Sequence, residues 1–229
     1  MFLKKELCLY CHRPFEEKTG WAGLLFLTEL DLLCGECRSQ LELICGPRCD
    51  LCSRPLEEKR RCKDCISWLT KAPIGSALDS NVSLYKYNPF MKEYIARFKY
   101  RGDYELGRLF AQEVRRAAPK ADIIIPVPLS EERLTERGFN QAWAIGKVAG
   151  LQMHEGLMRM HSEKQAKMSR RERIARHQVF KLHPEAPIFT GKTILLIDDI
   201  YTTGTTLRQA ALLLKEAGAA RVLSITIAR

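Results

Sequence analysis

Residues 193 to 207 read Thr-Ile-Leu-Leu-Ile-Asp-Asp-Ile-Tyr-Thr-Thr-Gly-Thr-Thr-Leu, and the predicted architecture of the whole chain rests on them. The four consecutive apolar residues Ile194 to Ile197 are typical of a strand that is buried on both faces of a parallel sheet. Two carboxylates, Asp198 and Asp199, follow the strand, and a helix is predicted from about Leu207 to Ala217. A strand, a tight loop and a helix N-terminus therefore follow one another.

The loop between this strand and helix is small and rich in hydroxyl groups. It contains Thr202, Thr203, Gly204, Thr205 and Thr206. Backbone N–H groups and the positive end of the helix dipole favour a phosphate at this point, and a glycine lets the backbone approach it closely. Two adjacent aspartates would repel a phosphate, so we expect their partner to be a neutral hydroxylated group or a metal ion. A ribose diol fits this requirement.

Residues 194 to 207 resemble the signature of type I phosphoribosyltransferases, which bind 5-phosphoribosyl-1-diphosphate (PRPP) through two acids followed by Thr-Thr-Gly-x-Thr. The resemblance implies that Asp198 and Asp199 hold the ribose hydroxyls, that Thr202 to Thr206 hold the 5-phosphate, and that Mg²⁺ accompanies PRPP. The alternative interpretation is an ordinary strand, turn and helix in which the pair of acids has no ligand.

A second buried strand is predicted at Ile123 to Val127, followed by Pro128 and Leu129. Ligands of parallel sheets bind beyond the carboxyl ends of the strands, so the loops after the two strands are expected to face one crevice. Arg133 and Arg137 would supply charge-assisted hydrogen bonds to a diphosphate there. These arginines alternate with glutamates, so an exposed helix face is the alternative.

All nine cysteines lie between residues 8 and 65. Eight of them form pairs separated by two residues: Cys8 and Cys11, Cys34 and Cys37, Cys49 and Cys52, Cys62 and Cys65. Two such pairs complete one closed tetrahedral Zn²⁺ site, so two structural zinc sites are predicted, and the order along the chain favours joining successive pairs. The ninth, Cys45, is expected to be a small core residue rather than a ligand.

The charge of the chain is unevenly distributed. Its net charge is +10 over 229 residues, and residues 71–229 carry 26 Lys and Arg against 16 Asp and Glu. The cysteines end at Cys65 and the periodicity of the sequence changes at Ala72-Pro73-Ile74-Gly75, so we divide the chain into a module of two zinc sites, residues 1–70, and a second, basic domain, residues 71–229. No apolar run is long enough to span a membrane and no secretory signal is recognisable, so the sequence predicts a cytoplasmic protein without membrane insertion.

Two basic segments are candidates for contacts with single-stranded nucleic acid. One is the corner formed by Lys99, Tyr100 and Arg101, where an aromatic ring lies between two cations. The other lies between residues 159 and 181, where a helix predicted from a capping box presents several arginines. Its candidate residues are Lys164, Arg170, Arg171, Arg173 and Arg176. The alternative is a solvated loop whose charges serve solubility.

Several motifs together resemble the ComF family of competence proteins. They are the paired cysteines, Lys99 to Asp103, Pro126 to Leu129, Arg137 to Gln141, Lys164 with Gln165, and Asp198 to Gly204. The resemblance covers nearly the whole chain. It implies an α/β fold with a type I phosphoribosyltransferase-like parallel sheet flanked by helices, and a small N-terminal double zinc-ribbon domain.

The same resemblance implies a role in natural transformation, in which the protein handles single-stranded DNA after it enters the cell. A competence helicase and recombination proteins are the implied partners, and they would bring the protein to the inner face of the membrane. The alternative function is an active Mg²⁺-dependent phosphoribosyltransferase that acts on a nucleobase or related acceptor. No residue pattern in the sequence identifies a site for such an acceptor.

Overall fold

The computed structural model describes residues 5–16, 32–100, 103–160 and 179–229. Its strands are β1 (Lys5–Leu7), β2 (Pro14–Glu16), β3 (Ser80–Tyr85), β4 (Ile123–Pro126), β5 (Leu157–Arg159), β6 (Phe180–Leu182), β7 (Thr193–Ile200) and β8 (Arg221–Ala228). Four of these strands form a parallel sheet in the order β3-β8-β7-β4. The pairs β1-β2 and β5-β6 are small antiparallel sheets. The predicted parallel sheet is thereby confirmed.

Helices pack around the parallel sheet. They are α1 (Gly35–Ser39), α2 (Lys63–Leu69), α3 (Ile74–Ala77), α4 (Pro89–Tyr100), α5 (Ala111–Ala117), α6 (Glu131–Arg137), α7 (Gln141–Val148) and α8 (Thr205–Glu216), with a 3-10 helix at Tyr104–Phe110. The 3-10 helix continues directly into α5, so residues 104–117 form two helical segments of different geometry. In the described part of the chain, no helix is both long and apolar enough to cross a bilayer.

The central strand β7 supplies both layers of the core because its side chains alternate between the two faces of the sheet. Leu195 and Ile197 pack in a cluster with residues of α4 and α7, whereas Ile194 and Leu196 pack in a second cluster with residues of α8. All four are fully buried. The apolar run that predicted a doubly covered strand is therefore explained by a helical layer on each face.

The edge strand β3 carries buried polar residues that bond to one another and to β8. The Asn81 amide donates to Ser83 Oγ and accepts from Ser224 Oγ, both at 2.8 Å. Such paired polar side chains can be buried at little cost, but they break the apolar alternation by which a strand is recognised in sequence.

The cysteine-rich segment is packed into the same core as the rest of the chain. Cys8 and Cys37 belong to the cluster on the α4 side of the sheet, and Cys49 and Cys65 belong to the cluster on the α8 side. The two cysteine groups therefore pack with the layers on opposite faces of the parallel sheet. The division at residue 70 stays a prediction.

Candidate functional site

A crevice of about 250 Å³ opens where β4 and β7 end. These strands are neighbours, with Pro126 paired to Ile197, so the loops that follow them leave the same edge of the sheet. The crevice is lined by Lys99, Val127, Pro128, Leu129, Arg133, Arg137, Asn140, Gln141, Ala142, Arg159, Asp198, Asp199, Ile200, Thr202 and Thr206. The structure thus brings together all four residues that were predicted for a diphosphate loop and both predicted aspartates.

One wall of the crevice carries the two carboxylates. Asp198 Oδ1 accepts a hydrogen bond from the Asp199 backbone N–H at 2.9 Å, and Asp199 Oδ2 lies 2.6 Å from Lys99 Nζ. Burial and the neighbouring Asp199 carboxylate raise the pKa of Asp198 to about 7, although Lys99 and Arg159 oppose the shift. Asp198 is therefore poised to change its charge near neutral pH.

Three arginines line the crevice as well. Arg137 ends α6, is 9% exposed, and donates from Nη1 to Gln141 Oε1 at 3.0 Å. Its buried Nε has no hydrogen-bond partner among the described residues. Burial and the charges of Arg133 and Arg137 lower the pKa of Arg159, so the three guanidinium groups lie near one another. Such a cluster suits a polyanion such as a diphosphate.

Arg159 was not among the site residues predicted from the sequence. It lies on β5, far along the chain from both predicted loops, and was counted only as part of a basic segment. Its position depends on the tertiary packing of β5 and β6, and no local signal distinguishes it. Arg133 is exposed on α6 and Arg137 is buried, yet both line the crevice, so the interpretation of a purely exposed helix face is wrong.

The hydroxyl-rich loop enters the site at Thr202 and Thr206, which line the crevice. Gly204 has φ of 77°, and a Cβ there would lie 2.2 Å from Tyr201 Oη and 2.3 Å from Arg208 Nη1. Glycine is thus required for both conformation and space. Thr203 Oγ1 lies 2.9 Å from Thr205 Oγ1, and α8 begins directly after the glycine. The first N–H groups of a helix lack intrahelical partners, so they are available to an anion.

The predicted nucleic-acid contacts are placed only in part. Lys99 is 17% exposed at its side chain and pairs with Asp199 inside the crevice, so it does not form an exposed corner. Tyr100 is 60% exposed, and the Arg137 guanidinium lies 5.3 Å from its ring centre. The other candidates, Arg101, Lys164, Arg170, Arg171, Arg173 and Arg176, lie outside the described residues.

A second cavity, also of about 250 Å³, adjoins the first and shares Ile200 and Thr202 with it. It is further lined by Arg54, Pro55, Tyr87, Tyr201 and Arg229. Tyr87 is 41% exposed, and the Arg229 guanidinium lies 4.5 Å from the Tyr201 ring centre. An exposed aromatic ring beside cations is the combination that binds a base and its phosphate in single-stranded nucleic acids.

The eight paired cysteines form two groups, as predicted. Cys8, Cys11, Cys34 and Cys37 form one group, and Cys49, Cys52, Cys62 and Cys65 form the other, with all sulfurs of each group within 4.8 Å of one another. The sulfurs of Cys11 and Cys34 are 3.8 Å apart, and those of Cys52 and Cys62 are 3.6 Å apart. Because Zn–S bonds of about 2.3 Å in a tetrahedron separate sulfurs by about 3.8 Å, both groups fit Zn²⁺.

The two groups repeat one local structure that spacing alone did not indicate. In each, the first cysteine pair is followed by a residue with positive φ, His12 at 58° and Ser53 at 60°. In each, the second pair begins at a helix N-cap, Cys34 for α1 and Cys62 for α2. Cys45 belongs to neither group and is exposed, so the expectation of a core cysteine is wrong. The adjacent Ile44 is buried instead.

Comparisons with known proteins agree with this arrangement. A double zinc ribbon domain model matches residues 27–66, and a phosphoribosyl transferase domain model matches residues 153–229. Competence protein ComFC of Bacillus subtilis (strain 168) is 38% identical over 233 residues, which cover 99% of this chain and 96% of that protein. The chain belongs to the ComF family of competence proteins.

Other relatives carry related names. Competence protein ComFC of Streptococcus pneumoniae is 32% identical over 97% of this chain and 99% of that protein. DNA utilization protein YhgH of Escherichia coli O157:H7 is 30% identical over 83% of this chain and 93% of that protein. The ComF family membership and the fold predicted from sequence are therefore confirmed: a phosphoribosyltransferase-like parallel sheet with an N-terminal double zinc ribbon.

We predict that each of the two cysteine groups binds one Zn²⁺ ion and that each ion can be removed without the other. The full-length protein is expected to hold two Zn²⁺ per chain, measured by inductively coupled plasma mass spectrometry, and Cys62→Ser should reduce this to one because a closed site loses a ligand. Cys45→Ser is the matched control and should retain two. A loss of zinc from the control, or no loss from Cys62→Ser, would contradict the assignment.

The raised pKa of Asp198 predicts that Asp198→Asn stabilises the protein in a pH-dependent way. Well below its ordinary pKa of 3.8 the carboxyl is protonated in both the folded and unfolded chains, so it has no effect on stability. As pH rises to about 7 the unfolded chain ionises first, which progressively destabilises the wild-type fold. Asp198→Asn should therefore raise the apparent Tm by several degrees at pH 8 and by less at pH 5, at about 2–4 °C per kcal/mol.

Differential scanning fluorimetry at both pH values measures this effect. Glu132→Gln, which changes an exposed carboxylate on α6, is the control and should leave Tm unchanged. An equal rise in Tm from Asp198→Asn at pH 5 and pH 8 would show that folding does not raise the pKa of the Asp198 carboxyl.

Proposed function

We propose that the protein is a DNA-uptake factor of natural transformation that binds incoming single-stranded DNA and carries a PRPP-binding site. The crevice supports this function best because it combines two carboxylates and a hydroxyl-rich loop with three arginines. A ligand that matches these groups must be both hydroxylated and polyanionic, as a phosphorylated sugar diphosphate is. The names of the relatives, competence protein and DNA utilization protein, support the role in DNA uptake.

In the proposed complex, Asp198 and Asp199 accept hydrogen bonds from the ribose hydroxyls. The 5-phosphate contacts Thr202 to Thr206 and the N-terminus of α8. The diphosphate contacts Arg133, Arg137 and Arg159, which line the crevice together. The carboxylates of Asp198 and Asp199 are of the type that binds Mg²⁺, and bound Mg²⁺ would neutralise the negative charge of the diphosphate oxygens.

We predict that PRPP binding depends on Asp199 as an acceptor for the ribose hydroxyls. Asp199→Asn removes a negative charge, so it should strengthen the binding of a simple anion. It should nevertheless weaken PRPP binding by about 10-fold, because a charge-assisted acceptor is replaced by a neutral amide that accepts more weakly. Isothermal titration calorimetry with PRPP, and separately with inorganic diphosphate, distinguishes the two effects. Arg137→Gln should weaken the binding of both ligands, because Arg137 is the residue that contacts the diphosphate group.

Arg221→Gln is the matched control for this titration, since Arg221 is exposed at the beginning of β8, away from the carboxyl ends of the strands. It should leave both affinities unchanged. Equal losses in Arg137→Gln and Arg221→Gln would show that only net charge matters and would overturn the site. Diphosphate release on adding a nucleobase or DNA acceptor with Mg²⁺ would instead assign the alternative, an active transferase.

Binding of single-stranded DNA is proposed for the basic part of the chain, residues 71–229. Among the described residues, support comes from the exposed Tyr87 beside Arg229 and from Tyr100 beside Arg137. Aromatic rings stack on bases without sequence preference, and guanidinium groups pair with the backbone phosphates. The arginine-rich segment between residues 161 and 178 adds the phosphate contacts predicted from sequence.

We predict that reversing the charges of Arg170, Arg171 and Arg173 weakens DNA binding and reduces its dependence on salt. Each lost phosphate contact lowers the slope of log K against log salt concentration by about 0.7 for a single strand, so the triple variant should lose up to about 2. Fluorescence anisotropy of a labelled oligonucleotide at several salt concentrations measures the slope.

The control for this measurement is charge reversal of Lys59, Arg60 and Arg61, three consecutive basic residues of the cysteine-rich segment. We expect it to leave the slope unchanged because the DNA contacts are assigned to the second part of the chain. If the control lost as much slope as the test variant, DNA binding would have to be reassigned to the zinc ribbons.

A further inference from the structure

Arg208 is a fully buried arginine between the second cysteine group and the hydroxyl-rich loop. It lies in the first turns of α8, four residues after the glycine that begins the helix. Its contacts within the described chain are with Cys65, Trp68, Tyr201 and Gly204, and none of these is a carboxylate. A buried cation is costly unless it is paired, so its anionic partner has to be identified.

The cysteine group supplies this partner. Arg208 Nη2 lies 3.9 Å from Cys65 Sγ, and the guanidinium lies 4.7 Å from the ring centre of Trp68. A Zn²⁺ ion with four thiolate ligands carries a net charge of about −2, because each cysteine loses its proton when it binds the metal. A metal-loaded second group would therefore compensate the charge of Arg208, and Trp68 adds a cation–π contact.

The same guanidinium holds the loop. Its Nη1 donates to the hydroxyl of Tyr201 and lies 3.4 Å from the Gly204 carbonyl oxygen. A second contact runs in parallel, since Trp68 Nε1 donates to the Thr203 carbonyl oxygen at 3.0 Å. Both contacts fix backbone groups of the loop without occupying the face that lines the crevice.

We propose that Arg208 is a positioning residue that couples metal binding at Cys49, Cys52, Cys62 and Cys65 to sugar-phosphate binding by the 202–206 loop. Bound metal fixes the positions of Arg208 and Trp68, and these side chains fix the 202–206 loop in its binding conformation. Sugar-phosphate binding is then stronger because the ligand does not have to order the loop. Coupling between two sites is reciprocal, so a bound sugar phosphate in turn retains the metal. The ligand half of this inference rests on the proposed PRPP site.

The first cysteine group provides an internal control. It packs on the opposite face of the sheet, where Tyr10 meets the side chain of Arg97 rather than the loop. Among the described residues, no hydrogen bond joins Cys8, Cys11, Cys34 or Cys37 to residues 201–206. Loss of metal from this group should therefore leave the loop unaffected, although both groups are alike in their ligands.

Hydrogen–deuterium exchange of the full-length protein tests the coupling without any ligand. Cys62→Ser, Arg208→Met and Arg208→Lys should each speed amide exchange in a peptide covering residues 201–208, and Cys37→Ser should not. Arg208→Lys keeps the charge but loses the planar fork, so its effect should be smaller than that of Arg208→Met. Equal exchange in all variants, or equal acceleration in Cys37→Ser and Cys62→Ser, would overturn the inference.

Titration of the same variants with PRPP tests the ligand half. Affinity should fall about 5- to 10-fold in Cys62→Ser and Arg208→Met and stay within about twofold in Cys37→Ser, and PRPP should slow zinc release to a chelator from the wild-type protein. If the wild-type protein bound no PRPP while exchange responded as expected, the proposed ligand would be wrong and the coupling would stand. If PRPP bound equally to every variant, the coupling would be wrong and the site would stand.

Discussion

The parallel pairing of β4 with β7 is the constraint on which the site depends. Because adjacent parallel strands end at one edge, the aspartates in the last residues of β7 and the α6 arginines after β4 meet across a single crevice. Each set of charges is electrostatically unfavourable without a ligand. Burial and a neighbouring carboxylate raise the pKa of Asp198, and burial beside other cations lowers the pKa of Arg159. A ligand that offers hydroxyls to one wall and anionic oxygens to the other relieves both.

The cysteine groups extend this design to both faces of the sheet. Each contributes buried sulfurs to one hydrophobic layer, so the zinc ribbons are integrated into the core rather than attached beside it. A small cysteine-rich segment has little core of its own and gains its stability from metal and from such packing. Among the residues that the structure describes, only the second group also reaches the hydroxyl-rich loop, through Arg208 and Trp68. The two groups are thus equivalent in ligands but differ in what they support.

Sequence predicted those features that are encoded locally. The apolar run before Asp198, the helix after Gly204 and the cysteine spacings each depend on neighbours in the chain, and the structure confirms these elements. Features that depend on tertiary contacts were not predicted. Arg159 reaches the crevice through the packing of β5, Lys99 turns inward to Asp199, and the buried Asn81 hides the beginning of β3. Arg208 was invisible because a lone arginine in an amphipathic helix is normally a surface residue.

The most direct measurement is a crystal structure of the protein with PRPP and Mg²⁺. We predict density for the 5-phosphate against Thr202 to Thr206 at the N-terminus of α8, ribose hydroxyls at Asp198 and Asp199, and the diphosphate at Arg133, Arg137 and Arg159. Binding in this orientation would require the Lys99 ammonium to share or leave Asp199. An Asp199 carboxylate that stays paired with Lys99 at saturating PRPP, with the ligand bound elsewhere on the molecule, would contradict the assignment of this site.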